Sequence, residues 1–236
     1  MMIGLLSREP PIKVKLDELE MRLFDPKKDN WKEVRNMAFT PLKETIPKIM
    51  RDLLFHPILS CVLAILAGVT YQIKGSLWSS LVLLVVIYPP LYIFLVWMIP
   101  PFEMSKQVDY NKFVEYWTDP AHPLWLLFHK RRLIGSVGLK ELDVNTRGEL
   151  VRLAIAHEYR RNGLAEKLVY TVIEFCEKHK YEELILLTSV YQLGAMKLYE
   201  KVGFTKYSRY TLYYITPVLS AVSVQIIGYT MKIPRK

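Results

Sequence analysis

The chain has 236 residues and a formal net charge of +9, with 51% of it hydrophobic and 23% charged. That length accommodates one ordinary domain plus an appendage, and the mixture excludes both a disordered chain and a channel built of many spans. The excess charge is spread out, with no basic run longer than Lys130, Arg131 and Arg132 and no nucleic-acid motif, so a phosphorylated cofactor or an anionic membrane face suits it better than DNA or RNA.

Residues 1–18 carry the pair Pro10 and Pro11 and no clear period, and read as a tail or a crossing strand. The opening apolar run is too short for a signal peptide. Residues 19–24 alternate loosely and predict a first strand. Asp25 and Pro26 then open a helix in which Trp31, Val34, Arg35 and Ala38 fall at helical spacing. Residues 19–52 are therefore the first part of a folded domain.

The character changes at Leu53. Residues 57–73 and 77–99 are free of charge, separated by Lys74, Gly75 and Ser76, and the second run is broken by Pro89 and Pro90. A membrane-spanning helix needs about 20 apolar residues, and a domain this small cannot cover two such helices all round. Residues 53–101 thus predict an inserted membrane hairpin rather than two core helices, with a re-entrant pair as the other membrane arrangement. Lys43, Lys48 and Arg51 precede it and Lys106 and Lys112 follow it, against Lys74 at its tip, which puts both flanks in the cytosol. The absence of Asn-x-Ser/Thr acceptor sites points the same way. If the segments before and after the hairpin join one sheet, the insertion must cross an even number of times or not at all.

Residues 102–236 are soluble in character. A short helix over 108–117 ends at Asp119–Pro120. Strands over 124–128 and 133–139 form a hairpin, with Gly135 and Gly138 marking a weak point or bulge. A polar loop over 143–148 leads to a strand over 150–155. The chain then turns between Tyr159 and Asn162 and continues as a helix to about Lys180, with Leu164, Ala165, Leu168, Val169, Val172, Ile173 and Cys176 on one stripe. A buried strand over 183–188, a helix over 192–202 stopped by Gly203, and strands over 207–215 and 222–233 around Thr216–Pro217 complete it. Cys61 and Cys176 both lie in apolar settings and are expected to be buried free thiols of a reducing compartment. The turn before the long helix carries Arg160, Arg161, Asn162 and Gly163, and unpaired N–H groups at the helix start make it a seat for an anionic phosphate.

The order strand, helix, helix, three strands, helix, strand, helix, two strands resembles the GNAT acetyltransferase superfamily. Arg160-Arg161-Asn162-Gly163-Leu164-Ala165 is similar to that family's Q/R-x-x-G-x-G/A pyrophosphate loop. The stretch from Ala195 through Leu198, Tyr199 and Gly203 to Phe204 resembles its second signature, Ala-x-x-Leu-Tyr on a helix ending in Gly-Phe. With the inserted hairpin, the chain looks like the camello-type membrane-bound N-acetyltransferases, which include cysteine-S-conjugate and aspartate N-acetyltransferases. The resemblance runs from about residue 19 to the C-terminus. Arg152 and Arg161 depart from it, standing where relatives carry histidine and glycine.

The implied fold class is α/β (α+β), a mixed central sheet flanked by helices with the membrane hairpin inserted. The implied function is transfer of the acetyl group of acetyl-CoA to a primary amine of an amino-acid-like small molecule, a conjugate or a protein lysine. The setting would be the endoplasmic reticulum or another endomembrane, with lipid met through residues 53–101 and the soluble domain in the cytosol. No metal and no nucleic acid are expected, and a non-catalytic relative that keeps the CoA-binding fold is the alternative. Arg160, Arg161 and the N–H groups of Asn162, Gly163, Leu164 and Ala165 would cradle the pyrophosphate. The backbone of Leu153, Ala154 and Ile155 would follow the pantetheine and donate to the thioester oxygen, with Ser189 and Gln192 as further cofactor contacts. Tyr199 would protonate the departing thiolate. Glu149, Glu158 and His157 are the candidate bases, Glu149 preferred. Arg152 would pair with a substrate carboxylate or neutralise Glu149 or Glu158.

Overall fold

A computed structural model describes residues 12, 14, 18–54, 57–79, 81–82, 85–87, 90, 107–144, 146–213 and 223–234. Its centre is a seven-stranded sheet of order β1-β2-β3-β4-β5-β7-β6. The strands are β1 (Leu19–Leu23), β2 (Leu124–His129), β3 (Arg132–Asp143), β4 (Arg147–Ile155), β5 (Glu183–Ser189), β6 (Thr205–Tyr213) and β7 (Ser223–Lys232). Every neighbouring pair is antiparallel except β4 with β5. This is the expected mixed sheet. The Thr216–Pro217 connection lies outside the described residues.

Among the described residues the helices with defined bounds are α1 (Trp31–Ala38), α2 (Thr40–Leu54), α3 (Pro57–Lys74), α4 (Val108–Asn111), α5 (Phe113–Trp117), α6 (Leu164–Lys178) and α7 (Leu193–Val202), and residues 77–79, 81–82, 85–87 and 90 are also helical. Two expectations about the first helices need correction. The first helix starts at Trp31, where the Asn30 side chain accepts from the Lys32 N–H as an N-cap; Pro26 instead lies in a turn closed by Asp25. A second helix, α2, follows almost without pause, and Pro47 within it is tolerated.

Strand alternation divides the core between the two faces of the sheet. On one face Leu127, Val137, Leu139, Leu184 and Leu186 pack against Leu168, Val172 and Cys176 of α6 and Tyr199 of α7. On the other, Leu124 and Leu126 pack against Val34 and Ala38 of α1 and Phe113 and Trp117 of α5. Cys176 is fully buried and burial pushes its thiol up to about 12. Cys61 is exposed, contrary to expectation, because α3 presents most of its side chains outward rather than to the sheet.

The predicted turn between the two apolar arms is present: Gly75 has φ +62 and its N–H donates to the Tyr71 carbonyl at 2.7 Å. Among the described residues no helix is long and apolar enough to cross a membrane. The expected spanning hairpin is therefore not found there: the turn stops α3 at Lys74, and residues 91–106 at the end of the second arm lie outside the description. Strand β1, before the insertion, pairs with β2, after it, from Leu19↔His129 to Leu23↔Trp125, so both flanks belong to one sheet.

Gly138 sits under Trp117, whose ring atoms would lie 2.5 and 2.6 Å from an added Cβ. Gly138→Ala should overpack this contact, costing about 1–3 kcal/mol and lowering the thermal midpoint by roughly 2–4 °C per kcal/mol. Calorimetry checks it; an unchanged midpoint would mean that Trp117 gives way freely.

Candidate active site

The parallel ladder between β4 and β5 runs only from Arg147↔Glu183 to Leu150↔Leu186. Beyond that point β4 stays with β3 and β5 stays with β7 as far as Ser189↔Ile226, so the sheet opens between them. The opening coincides with a bulge. Ser136 faces Ala154 and Gly138 faces Val151, which sets Arg152 and Leu153 together opposite Val137. Arg152 takes φ +56 there, a left-handed conformation that costs an L-residue roughly 1–2 kcal/mol. Ser136 Oγ donates to the Arg152 carbonyl at 3.1 Å and holds the bulge. On its β5 side, the end of β4 offers strand backbone with no ladder partner among the described residues, and such groups need partners.

Two cavities flank this opening, of about 550 and 690 Å³. Pro41, Thr45, Leu153, Gln192 and Tyr199 line both of them. The first lies over the start of α6. Gly163 precedes that helix at φ +74, where an added Cβ would meet nothing, so the glycine serves the left-handed turn rather than a close contact. The first intrahelical bond runs from Lys167 N–H to the Gly163 carbonyl. The N–H groups of Leu164, Ala165 and Glu166 thus have no carbonyl within the helix to bond, and the positive end of the helix faces the cavity. Lys48, Arg160 and Arg161 add cationic side chains, against Glu44 and Glu166. Arg160 is held at both ends of its fork: Nε donates to the Ile155 carbonyl at 3.0 Å, and one terminal nitrogen donates to both Glu44 oxygens at 2.7 and 2.9 Å.

The second cavity is bounded by α2, α4, α5 and the bulged strand. Glu149 is only 14% exposed and lies 3.6 Å from Lys140. Arg152 donates to Asp109 at 2.6 and 2.8 Å and also to Gln107. Burial, with Asp109 and Glu149 close by, pushes the Tyr116 phenol up to about 12. Between the cavities stands Tyr199, buried and edge-on to Phe204, its hydroxyl without a hydrogen-bond partner among the described residues. Burial, and secondarily Tyr229, raises its pKa above the ordinary phenol value.

The acetyltransferase (GNAT) family model matches residues 91–204. N-acetyltransferase 8 of Rattus norvegicus is 29% identical over 189 residues, which are 75% of this chain and 82% of that protein. N-alpha-acetyltransferase 30 of Schizosaccharomyces pombe is 35% identical over 115 residues, 47% of this chain and 73% of the relative. The chain belongs to the GNAT acetyltransferase family. N-acetylaspartate synthetase of Homo sapiens is 25% identical over 173 residues, 72% of this chain and 57% of its own length. The N-acetyltransferase 8 and N-acetylaspartate synthetase matches agree with the camello-type branch. As a GNAT enzyme it is an acetyl-CoA-dependent N-acetyltransferase.

Most residues expected of a GNAT site converge on the opening. Leu153, Ala154, Ile155, Arg160, Arg161, Gly163, Leu164, Ala165, Gln192 and Tyr199 line the first cavity, and Glu149, Arg152 and Ser189 the second. The Asn162 side chain does not line either: its amide donates to the carbonyls of Ile12 and Tyr159, pinning the turn and the N-terminal segment together. Of the three candidate bases, only Glu149 lines a cavity. His157 is exposed, and Glu158 pairs with Arg132 at 2.6 Å. Arg152 neutralises neither Glu149 nor Glu158, because Asp109 takes that place.

Sequence reading missed Asp109, Tyr116, Glu44 and Lys48. The first two sit on short helices whose docking is set by tertiary contacts, and the last two face the site from a helix that was not foreseen. Only Glu44 and Lys48 left a signal, their i,i+4 spacing on a single helix face.

The first cavity fits acetyl-CoA in kind. Cations and helix N–H groups lie at one end, and the apolar side chains of Leu153, Ala154 and Leu198 line the wall. Arg160→Gln should weaken acetyl-CoA binding by roughly 10- to 100-fold, the worth of a charge-assisted contact. Glu44→Gln, which removes a competitor for the same guanidinium, should tighten it. Titration calorimetry reads both, and equal weakening by the two variants would show that the pair is structural.

Proposed function

We propose that the chain is a membrane-anchored N-acetyltransferase that acetylates a primary amine of an amino-acid-like small molecule or conjugate, or of a protein lysine. One observation carries the reading of the site: Tyr199 and Leu153 line both cavities, one suited to a nucleotide thioester and the other holding a carboxylate. Acetyl-CoA would supply the activated acetyl group. Arg160, Arg161 and the start of α6 would hold its phosphates, and backbone N–H groups between Leu153 and Ile155 would donate to the carbonyl that gains negative charge. Glu149 would accept a proton from the acceptor ammonium, directly or through one water.

Tyr199 would donate to the sulfur as the C–S bond weakens. Because burial raises the phenol, it keeps its proton throughout the neutral range and gives it up only as the leaving thiolate develops.

The anchoring reading draws support from the surface of the insertion. Val62, Ile65, Val69 and Ile73 on α3 are exposed, as are Trp78, Val82 and Val85 after it. An apolar surface on this scale calls for a covering. With β1 and β2 paired in one sheet, an insertion that enters the bilayer must return to the side it left. The basic flanks favour the cytosolic side of the endoplasmic reticulum or another endomembrane.

The test is CoA release by the full chain with aspartate, S-benzylcysteine and a lysine peptide as acceptors. Turnover with one of them is expected. Binding of acetyl-CoA without turnover on any amine would favour a non-catalytic CoA-binding role. Tyr199→Phe should lower kcat by roughly 10²-fold, within the range for a general acid, with KM for acetyl-CoA little changed. Since the Tyr199 pKa is raised, protonated phenol is lost only as pH climbs above the ordinary value of about 10. A rate that falls between pH 8 and 9 in the wild type and not in Tyr199→Phe would contradict this placement.

A further inference from the structure

The bulge of β4 holds a non-glycine residue, Arg152, in the left-handed region at φ +56, and its side chain is held on several sides. Arg152 is 19% exposed and Asp109 11%, and the two make a two-pronged ion pair at 2.6 and 2.8 Å. Gln107 accepts from the same guanidinium. Its other face covers the ring of Phe39, with the guanidinium carbon 4.0 Å from the centroid. Phe39 follows α1 and leads into α2, whereas Gln107 and Asp109 stand where the described chain resumes after the insertion. A single side chain therefore touches both flanks of the insertion from the point where β4 leaves β5.

We propose that Asp109 and Arg152 form a positioning clasp. It fixes the bulge of β4, and with it the backbone from Leu153 to Ile155, to the chain on either side of the insertion. The guanidinium is planar and rigid, so a forked carboxylate sets its direction as well as its charge. Its direction in turn sets the left-handed turn at residue 152, which aims the next N–H groups into the opening. Arg152 then acts on the reaction through backbone geometry, and Asp109 acts only through Arg152. This differs from a role in gripping a substrate carboxylate, in which Asp109 would compete with the substrate for the same donors.

The test compares Asp109→Asn, Arg152→Gln, Arg152→Lys and the double variant Asp109→Asn/Arg152→Gln in the full chain. Hydrogen exchange of the segment 150–156 is read beside that of α6. The clasp predicts exchange in 150–156 faster by roughly tenfold or more, with α6 unchanged, as for a local opening. With acetyl-CoA and an acceptor that turns over, each neutralising variant should lose roughly 10- to 100-fold in kcat, the scale of a small misplacement. KM for acetyl-CoA should stay within a few-fold of wild type. The double variant should be no worse than the poorer single one, as for two groups acting as a unit, and Arg152→Lys should fall between.

Additive losses, or unchanged exchange at 150–156, would overturn the clasp. So would a loss confined to KM for aspartate and absent for an alkylamine. Should the Asp109 variants fail to fold, Phe39→Leu removes the ring beneath the guanidinium and keeps the ion pair; it should shift exchange at 150–156 in the same direction, and no shift would count against the proposal. The kinetic arm rests on the acetyl-transfer reading. A chain that turns over no amine would contradict that reading alone, since the exchange arm decides the clasp without turnover.

Discussion

Parallel pairing between β4 and β5 stops at Leu150↔Leu186, and both cavities lie where it stops. A sheet whose β4 and β5 stayed together would have no opening, and α6 and α7 would close over a continuous ladder. Parting them exposes strand backbone, which is costly unless other groups meet it. Here the bulge at Arg152 and Leu153 turns β4 aside, and the side chains of Gln192, just before α7, and Tyr199, within it, flank the gap. The two cavities are the two sides of one break in hydrogen bonding.

Helix α2 closes the break from above, and polar contacts hold it there. Glu44 meets Arg160, the Lys48 ammonium donates to the Tyr191 carbonyl at 3.2 Å, and the Tyr191 hydroxyl donates to Asp52 at 2.8 Å. Exposed pairs of this kind are worth little singly. Their significance is positional, because α2 leads directly into the exposed apolar α3. The wall of the site and the start of the insertion are one continuous piece of chain.

Much of the frame was legible in the sequence, for identifiable reasons. The apolar stripe from Leu164 to Cys176 and the loose alternation in β1 have the periods of their elements, and Gly203 and Gly75 mark left-handed stops that few other residues tolerate. The Arg160–Ala165 turn and Tyr199 could be placed because both signatures are local. What could not be read was long-range. Nothing in the order of residues says that Asp109 meets Arg152 across 43 positions, or that Glu44 meets Arg160 across 116. Nor does it say that the Asn162 side-chain amide pins the turn to Ile12, 150 positions away. The start of α1 was misplaced because Asp25–Pro26 and Asn30 both carry helix-start signals, and the tertiary contact of Arg22 with Asp29 at 2.5 and 2.7 Å favours the later one.

On the proposed function, acetyl-CoA enters the break between β4 and β5 and presents its thioester beside Tyr199. A structure of the full chain with CoA bound tests it most directly. Pyrophosphate is expected against Arg160 and the N–H groups that open α6, with the sulfur within about 3.5 Å of the Tyr199 hydroxyl, the reach of a hydrogen bond. CoA seated elsewhere, or a thiol that points away from the second cavity, would contradict it.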